Sequence, residues 1–316
     1  MGGGTWTKAA WADYAVRTNV NSASTSTTGG RGSIYSASHM NPELDPRNLT
    51  VRECRDSADH PNSMPLIVAC DVTGSMSPVL RSVIQGLGTL NAELQKRDMN
   101  DVAVCYMGVG DCAANDRAPL QVTQFESDIR QAEALSKIWL EQRGGGNDSE
   151  SYILPWYFAA NYVKADAIDK GKRGTLITFG DECCPPELTK AQIKKVFGHE
   201  IQDEKLTADQ LLTAVSRDWD VYHLIIEEGN FYSNRYGIDS GRRNRCEQSW
   251  AFMGQNVINV SDYRKLPEII VSLMAIKCGA DVKEVINSWD GTTAVVVDHA
   301  VGKMANVSTG SGIIEF

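Results

Sequence analysis

Asp71, Thr73 and Ser75 stand at alternate positions behind the apolar run Leu66-Ile67-Val68-Ala69-Cys70, with Gly74 between the two hydroxyls. The spacing puts one carboxylate and two hydroxyls on a turn from strand to helix. Such an oxygen-rich cluster suits a hard divalent cation, Mg²⁺ first and Mn²⁺ as a substitute. Two other polar groups share the setting. The loop Gly144-Gly145-Gly146-Asn147-Asp148-Ser149-Glu150-Ser151 precedes a helical stretch, and Asp181 follows the run Thr175–Phe179. In open parallel sheets ligands collect beyond the carboxyl ends of the strands, so the fold would draw the three clusters together. Each cluster alone is a weak signal, since an Asp behind a strand also serves as a helix cap.

The elements that must position these groups are legible from periodicity. Leu66–Asp71 is continuously apolar, as a strand buried on both faces should be. Val79, Leu80, Val83, Ile84, Leu87, Leu90 and Leu94 then repeat at helical spacing. Val102–Val109, Thr175–Phe179, Val221–Ile226 and Asn256–Val260 read as strands, and Gln121–Phe125 as a short edge strand. Helices are expected over Asp128–Glu141, from Tyr152, near Thr189–Phe197 and Ala208–Ser216, and over Leu266–Lys277. The alternation predicts an α/β fold: a doubly wound, mainly parallel central sheet flanked by helices, with Leu66–Asp71 at its centre.

Residues 1–62 read as an N-terminal arm with a flexible linker, 63–280 as the domain, and 281–316 as a C-terminal helix and tail. Within the arm, Ala9–Arg17 suits one short helix, Asn21–Ser38 is rich in Ser, Thr and Gly, and Glu43–Ser63 looks irregular. The arm cannot build a core of its own, so Trp6, Trp11 and Tyr14 are expected to pack on the domain or on a neighbouring subunit. The ending Gly312-Ile313-Ile314-Glu315-Phe316 reads as a frayed terminus or a docking peptide.

The 316 residues carry a net charge of −9, which argues against nucleic acid as a partner, because that binding relies on Lys and Arg against phosphate. Arg242-Arg243-Asn244-Arg245 reads as a solvated loop. No apolar run is long enough to span a bilayer, and the opening residues lack a basic stretch followed by an apolar one. The expectation is a cytoplasmic protein that does not act at a membrane. None of the eight cysteines forms a zinc-type CxxC pair. Cys70 and Cys105 read as small buried hydrophobes. The vicinal Cys183-Cys184 suggests free loop thiols, or a redox or soft-metal element.

The order of the three clusters closely resembles the von Willebrand factor A (VWA) domain, over roughly Met64 to Cys278. The metal-ion-dependent adhesion site of that family uses D-x-S-x-S after the first strand, a Thr on a later loop and an Asp after the fourth strand. The resemblance implies that Asp71, Thr73 and Ser75 form the first element, Thr73 keeping the hydroxyl, and that Asp181 forms the third. Asn147 stands where the family has Thr, in a version similar to some prokaryotic and phage members. An amide oxygen can coordinate, and so can Asp148, Ser149 or Glu150. The family implies a Mg²⁺-dependent module that binds a partner protein's acidic side chain, often beside an AAA+ ATPase. The competing expectation is a haloacid-dehalogenase-like phosphohydrolase with Asp71 as nucleophile. Thr73 stands where that scheme needs a general acid, and a hydroxyl cannot fill the role near neutral pH. Glu182 behind Asp181 is a conceivable base, although neighbours along a strand point to opposite sides. No G-x-x-x-x-G-K-[ST] occurs, so a P-loop is excluded.

Overall fold

The computed structural model describes residues 4–20, 35, 37–114, 116–141, 147–237 and 239–304, with Ser75 described by its backbone alone. Most of the Asn21–Ser38 linker, the glycines at 144–146 and the tail from residue 305 lie outside the described residues, as do the expectations that fall on them.

The strands in chain order are β1 Arg52–Cys54, β2 Met64–Asp71, β3 Val102–Val109, β4 Leu120–Val122 and β5 Val163–Ala165. They continue with β6 Gly174–Gly180, β7 Glu187–Thr189, β8 Lys205–Thr207, β9 Trp219–Ile226 and β10 Val257–Val260. Six form the central sheet in the order β10-β9-β6-β2-β3-β4, parallel throughout except for the β3–β4 pair. This is a Rossmann-like α/β architecture in general terms, with helices on both faces.

Alternation along β2 shows why that strand is apolar throughout. Leu66, Val68 and Cys70 enter one core layer, and Ile67 and Ala69 enter the other, because successive strand side chains point to opposite faces. Helices Ser77–Gln85, Leu87–Lys96, Leu266–Lys277 and Gly291–Val301 cover the first face. Leu154–Tyr162, Lys190–Phe197, Ala208–Val215 and Arg242–Trp250 cover the second. From β2 the chain builds outward to β3 and β4, then returns to β2's other side for β6, β9 and β10. The strand order thus reverses beside β2, at whose carboxyl end Asp71 stands.

Some boundaries differ from the sequence reading. The expected edge strand Gln121–Phe125 is β4, Leu120–Val122, and the helix expected over Asp128–Glu141 is confined to Arg130–Ser136. At its start the Asp128 carboxylate takes the Arg130 N–H at 3.0 Å, so the helix begins after Asp128. The β7–β8 ribbon was not foreseen. Each of its strands runs into a helix through a capping box, Thr189 with Gln192 and Thr207 with Gln210.

The first residues are built into the domain. Trp6, Tyr14, Val20 and Tyr35 are buried in the core layer that holds Leu66. Tyr14 donates its hydroxyl to the Ala132 carbonyl at 3.2 Å, and Tyr35 to that of Leu80 at 3.0 Å. Within the stretch read as irregular, β1 pairs in parallel with β5. Among the described residues no helix is long and apolar enough to cross a membrane.

Candidate metal centre

Asp71 ends β2 fully buried. Its Oδ1 accepts the Thr73 N–H at 2.8 Å and the Thr73 hydroxyl at 2.6 Å, and its Oδ2 accepts the Tyr152 hydroxyl at 3.1 Å. Thr73 is the N-cap of the 3-10 turn Gly74–Met76 yet makes no side-chain capping bond. Its hydroxyl is turned toward the acid and not toward the following helix. The cluster is therefore more than a helix cap.

Asp181 lies just beyond β6, also fully buried. Its Oδ2 accepts the Phe231 N–H at 2.7 Å, and its Oδ1 has no hydrogen-bond partner. The loop after β9 approaches so closely that a methyl group on Gly229 would run into the Asp181 carboxyl, so only glycine fits there.

The loop between them divides its labour. The Asn147 amide donates to Asp111 Oδ2 at 2.5 Å, while Asp111 Oδ1 takes the N–H of Ala113 at 2.8 Å. Asp148 adopts a left-handed backbone, φ 62°, and pairs with Arg245 at 2.7 Å. Ser149 bridges to Cys183, its hydroxyl donating to the Cys183 carbonyl at 3.0 Å. This stitching fixes Glu150, which is buried with neither carboxyl oxygen partnered. Sequence reasoning had named Glu150 only as an alternative to Asn147.

Two contributors carried no clear signal in the sequence. Tyr152 looked like one residue of a helical face, but its hydroxyl holds Asp71 and receives the Glu182 N–H at 3.4 Å. Glu182 was expected to point away from Asp181. The chain has already left β6 at that position, so strand alternation no longer applies. Glu182 is nearly buried, with Oε2 unpartnered. The arginines at 242–245 do not form a solvated loop either. They open the helix Arg242–Trp250, with Arg242 stacked 4.8 Å from the Phe231 ring centre.

The electrostatics follow from the burial. Desolvation, then the charge of Asp181, raises the Asp71 carboxyl to about 7. Desolvation raises Asp181 to about 6 against the opposing Phe231 N–H. Glu182 is pushed up to about 9, by burial first and Asp71 next, and Glu150 rises furthest, by burial and then the charges of Asp71 and Glu182. Among the described residues no Lys, Arg or His forms an ion pair with any of these four acids. Burial without a close counter-charge favours the protonated forms of these acids, while Arg242 at longer range opposes the rise at Asp181.

Carboxyl and hydroxyl oxygens are the donor chemistry of a hard ion. Asp181, Glu150 and Glu182 carry unpartnered oxygens, and the Asp71 carboxylate holds the Thr73 hydroxyl. Among the described residues no three His, Cys, Asp or Glu side chains are grouped closely enough to cage a metal by themselves. Hydroxyls, on which a D-x-T-x-S cluster depends, fall outside that set. The structure brings Asp71 and Thr73 together and places Asp181 one strand away. Asn147 contacts Asp111, and the Ser75 side chain lies outside the description.

No protein-family model matches the chain, and no curated protein matches it. Two solved structures of the pilus adhesin SpaC from Lactobacillus rhamnosus GG, one in an open conformation, are similar at 12% identity and a TM-score of 0.45. The likeness covers 75% and 74% of this chain, which spans about a third of the adhesin, 31% and 32% of its length.

Proposed function

We propose that this chain is a metal-dependent protein-binding module of the VWA kind, with a divalent ion held in an adhesion site at the carboxyl ends of β2 and β6. Thr73 and Ser75 would hold the ion directly, Asp71 and Asp181 directly or through water, and the Asn147–Glu150 loop would supply the remaining oxygen. Mg²⁺ suits these donors best, with Mn²⁺ as a substitute. When bound, the ion would leave a position open to the acidic side chain of a protein partner. An AAA+ ATPase is such a partner by family association alone, and a cytoplasmic, prokaryotic or phage setting rests on the same resemblance.

The observation that carries this reading is that Asp71, Glu150, Asp181 and Glu182 are all buried, the last three with unpartnered oxygens, and that among the described residues none of them is in an ion pair. The phosphohydrolase alternative fits less well. Position 73 holds a hydroxyl and not the general acid that scheme needs. Calorimetry tests the proposal: Mg²⁺ or Mn²⁺ should bind, and Asp71→Ala should abolish the heat. Acidic peptides should then compete with the partner only when the metal is present. Mg²⁺-dependent turnover of phosphate esters, lost in Asp71→Asn, would favour the enzyme instead.

A further inference from the structure

Three buried polar atoms without a hydrogen-bond partner belong to residues that line one small cavity. They are Nε of Arg52, Oε1 of Gln124 and Oε2 of Glu126. The cavity holds about 360 Å³, and its walls come from β1, the chain that leaves β4 and the helix Arg130–Ser136. It shares no residue with the candidate metal centre.

The backbone behind these atoms is fixed. Beyond β4 the chain stays on β3, since the Thr123 N–H donates to the Tyr106 carbonyl at 2.9 Å and the Glu126 N–H to that of Val104 at 3.1 Å. Arg52 is held at its tip, its Nη2 donating to the Glu43 carbonyl at 2.6 Å and the Val122 carbonyl at 2.9 Å. Both partners are neutral, and among the described residues no carboxylate forms an ion pair with this half-buried guanidinium. The neighbouring charges are engaged elsewhere. Arg130 gives its fork to Asp128, at 2.8 and 2.7 Å, and stands 3.3 Å from Glu126 Oε2 without a hydrogen bond. Lys137 pairs with Glu43 at 3.4 Å.

Buried polar atoms nearly always find partners, so three orphans around one cavity call for an occupant. Its chemistry follows from what is lacking: a donor on a cation and two acceptors, one of them on an anion. An anion alone would leave both acceptors unmet, and a cation alone would leave Arg52 unmet. A carboxylate and an ammonium on one molecule satisfy all three. The volume is at the lower end of the roughly 300–1,000 Å³ of small-molecule sites, which suits a ligand the size of a single residue.

We propose that this cavity binds a free α-amino acid. Its carboxylate accepts from Arg52 Nε, and its ammonium donates to Gln124 Oε1 and Glu126 Oε2. All three atoms sit on long side chains of the cavity wall, so rotation about the outer bonds presents them to the ligand. The inference does not depend on the metal reading.

The test is calorimetry on the full chain, titrating each common amino acid in turn up to about 10 mM. At least one should bind. Its N-acetyl derivative lacks the ammonium and its methyl ester lacks the carboxylate, so each should bind at least about tenfold more weakly. Glu126→Gln keeps the side chain's shape and should weaken the same amino acid by a similar factor. Should that variant fold poorly, the two derivatives decide alone. Heat from none of the amino acids would overturn the proposal and leave ordered water as the occupant. So would binding undiminished by N-acetylation or esterification, or unchanged in a folded Glu126→Gln variant.

Discussion

At the amino end of the central sheet, Asp220 sits between Arg173 at 2.9 Å and Lys277 at 3.2 Å. Lys277 also donates to the Arg173 carbonyl at 2.6 Å and the Thr175 hydroxyl at 2.8 Å. These groups line an open cavity of about 910 Å³, where Asp220 meets both cations. At the carboxyl end of the same strands, Asp71, Asp181, Glu150 and Glu182 are more deeply buried and meet hydroxyls and N–H groups but no paired cation among the described residues. The same fold thus neutralises acids at one end and leaves them wanting at the other. Cations were available nearby, since Arg242 and Arg245 reach Asp148 at 3.9 and 2.7 Å. Arg242 acts on Asp181 only at longer range, and burial raises the pKa of all four acids.

The largest expected effect follows from that asymmetry. Asp71→Ala should remove measurable Mg²⁺ binding in a calorimeter, whereas Asp220→Ala should leave it intact. Equal loss in both variants would mean that the carboxyl end holds no ion and that the effect is general unfolding.

A second contrast concerns metal-free stability. Glu150 has a folded-state pKa well above the unfolded value, because burial and neighbouring acids disfavour its charge. For such a group the folded state is favoured below the unfolded pKa, and that stability is lost as pH rises through the folded pKa. The metal-free protein should therefore lose stability from about pH 4.5 upward, and Mg²⁺ should restore it. Glu150→Gln removes the penalty and should stabilise the metal-free protein at pH 7 by about 1–3 kcal/mol, with the gain vanishing near pH 4. Denaturant unfolding at the two pH values measures this. A destabilised Gln variant at pH 7 would show that Glu150 is compensated after all.

Asp220→Ala should act in the opposite direction. It strands Lys277 and Arg173, one mostly buried and one half exposed, so the cost should be about 1–3 kcal/mol, between the values for exposed and buried pairs. If both substitutions destabilise equally, the two ends do not differ in kind.

How far the sequence foretold this contrast depends on the kind of signal each residue carries. The strands around Leu66, Val102 and Val221 were legible because both their faces are buried, which leaves an unbroken apolar run. Asp71, Thr73 and Asp181 were legible because each directly follows such a run. Glu150 and Tyr152 were not, since their role depends on a loop stitched to β6 through Ser149 and Cys183, and no local pattern encodes a partner that distant. For Glu182 strand alternation gives no guide, because β6 ends at Gly180. Trp6, Trp11 and Tyr14 were expected to pack on the domain or on a neighbouring subunit, and long-range packing puts Trp6 and Tyr14 in the domain's core with Trp11 against it; composition alone cannot distinguish the two.

The smallest effect is expected where charge pairs are exposed. Still at the amino end, Arg55 pairs with Asp166 at 2.7 Å, and Lys170 pairs with Asp56, tying β1 to the short helix Asp166–Asp169. The Asp56 carboxyl is held below its usual range, chiefly by Lys170, and Asp166 chiefly by the Asp56 N–H and then by Arg55. A lowered folded pKa contributes stability present above the unfolded value and lost as pH falls through the folded one. The sign is opposite to that of Glu150. Solvent screens these pairs, so Asp56→Asn should cost less than about 1 kcal/mol, and added salt should shrink even that. Unfolding curves of this variant at low and high salt should nearly coincide with those of the unaltered chain at pH 3. A large, salt-insensitive loss at pH 7 would instead show that β1 is held by its acids as firmly as the core holds β2, and that the amino end is no mere solvated counterpart to the centre at the other end.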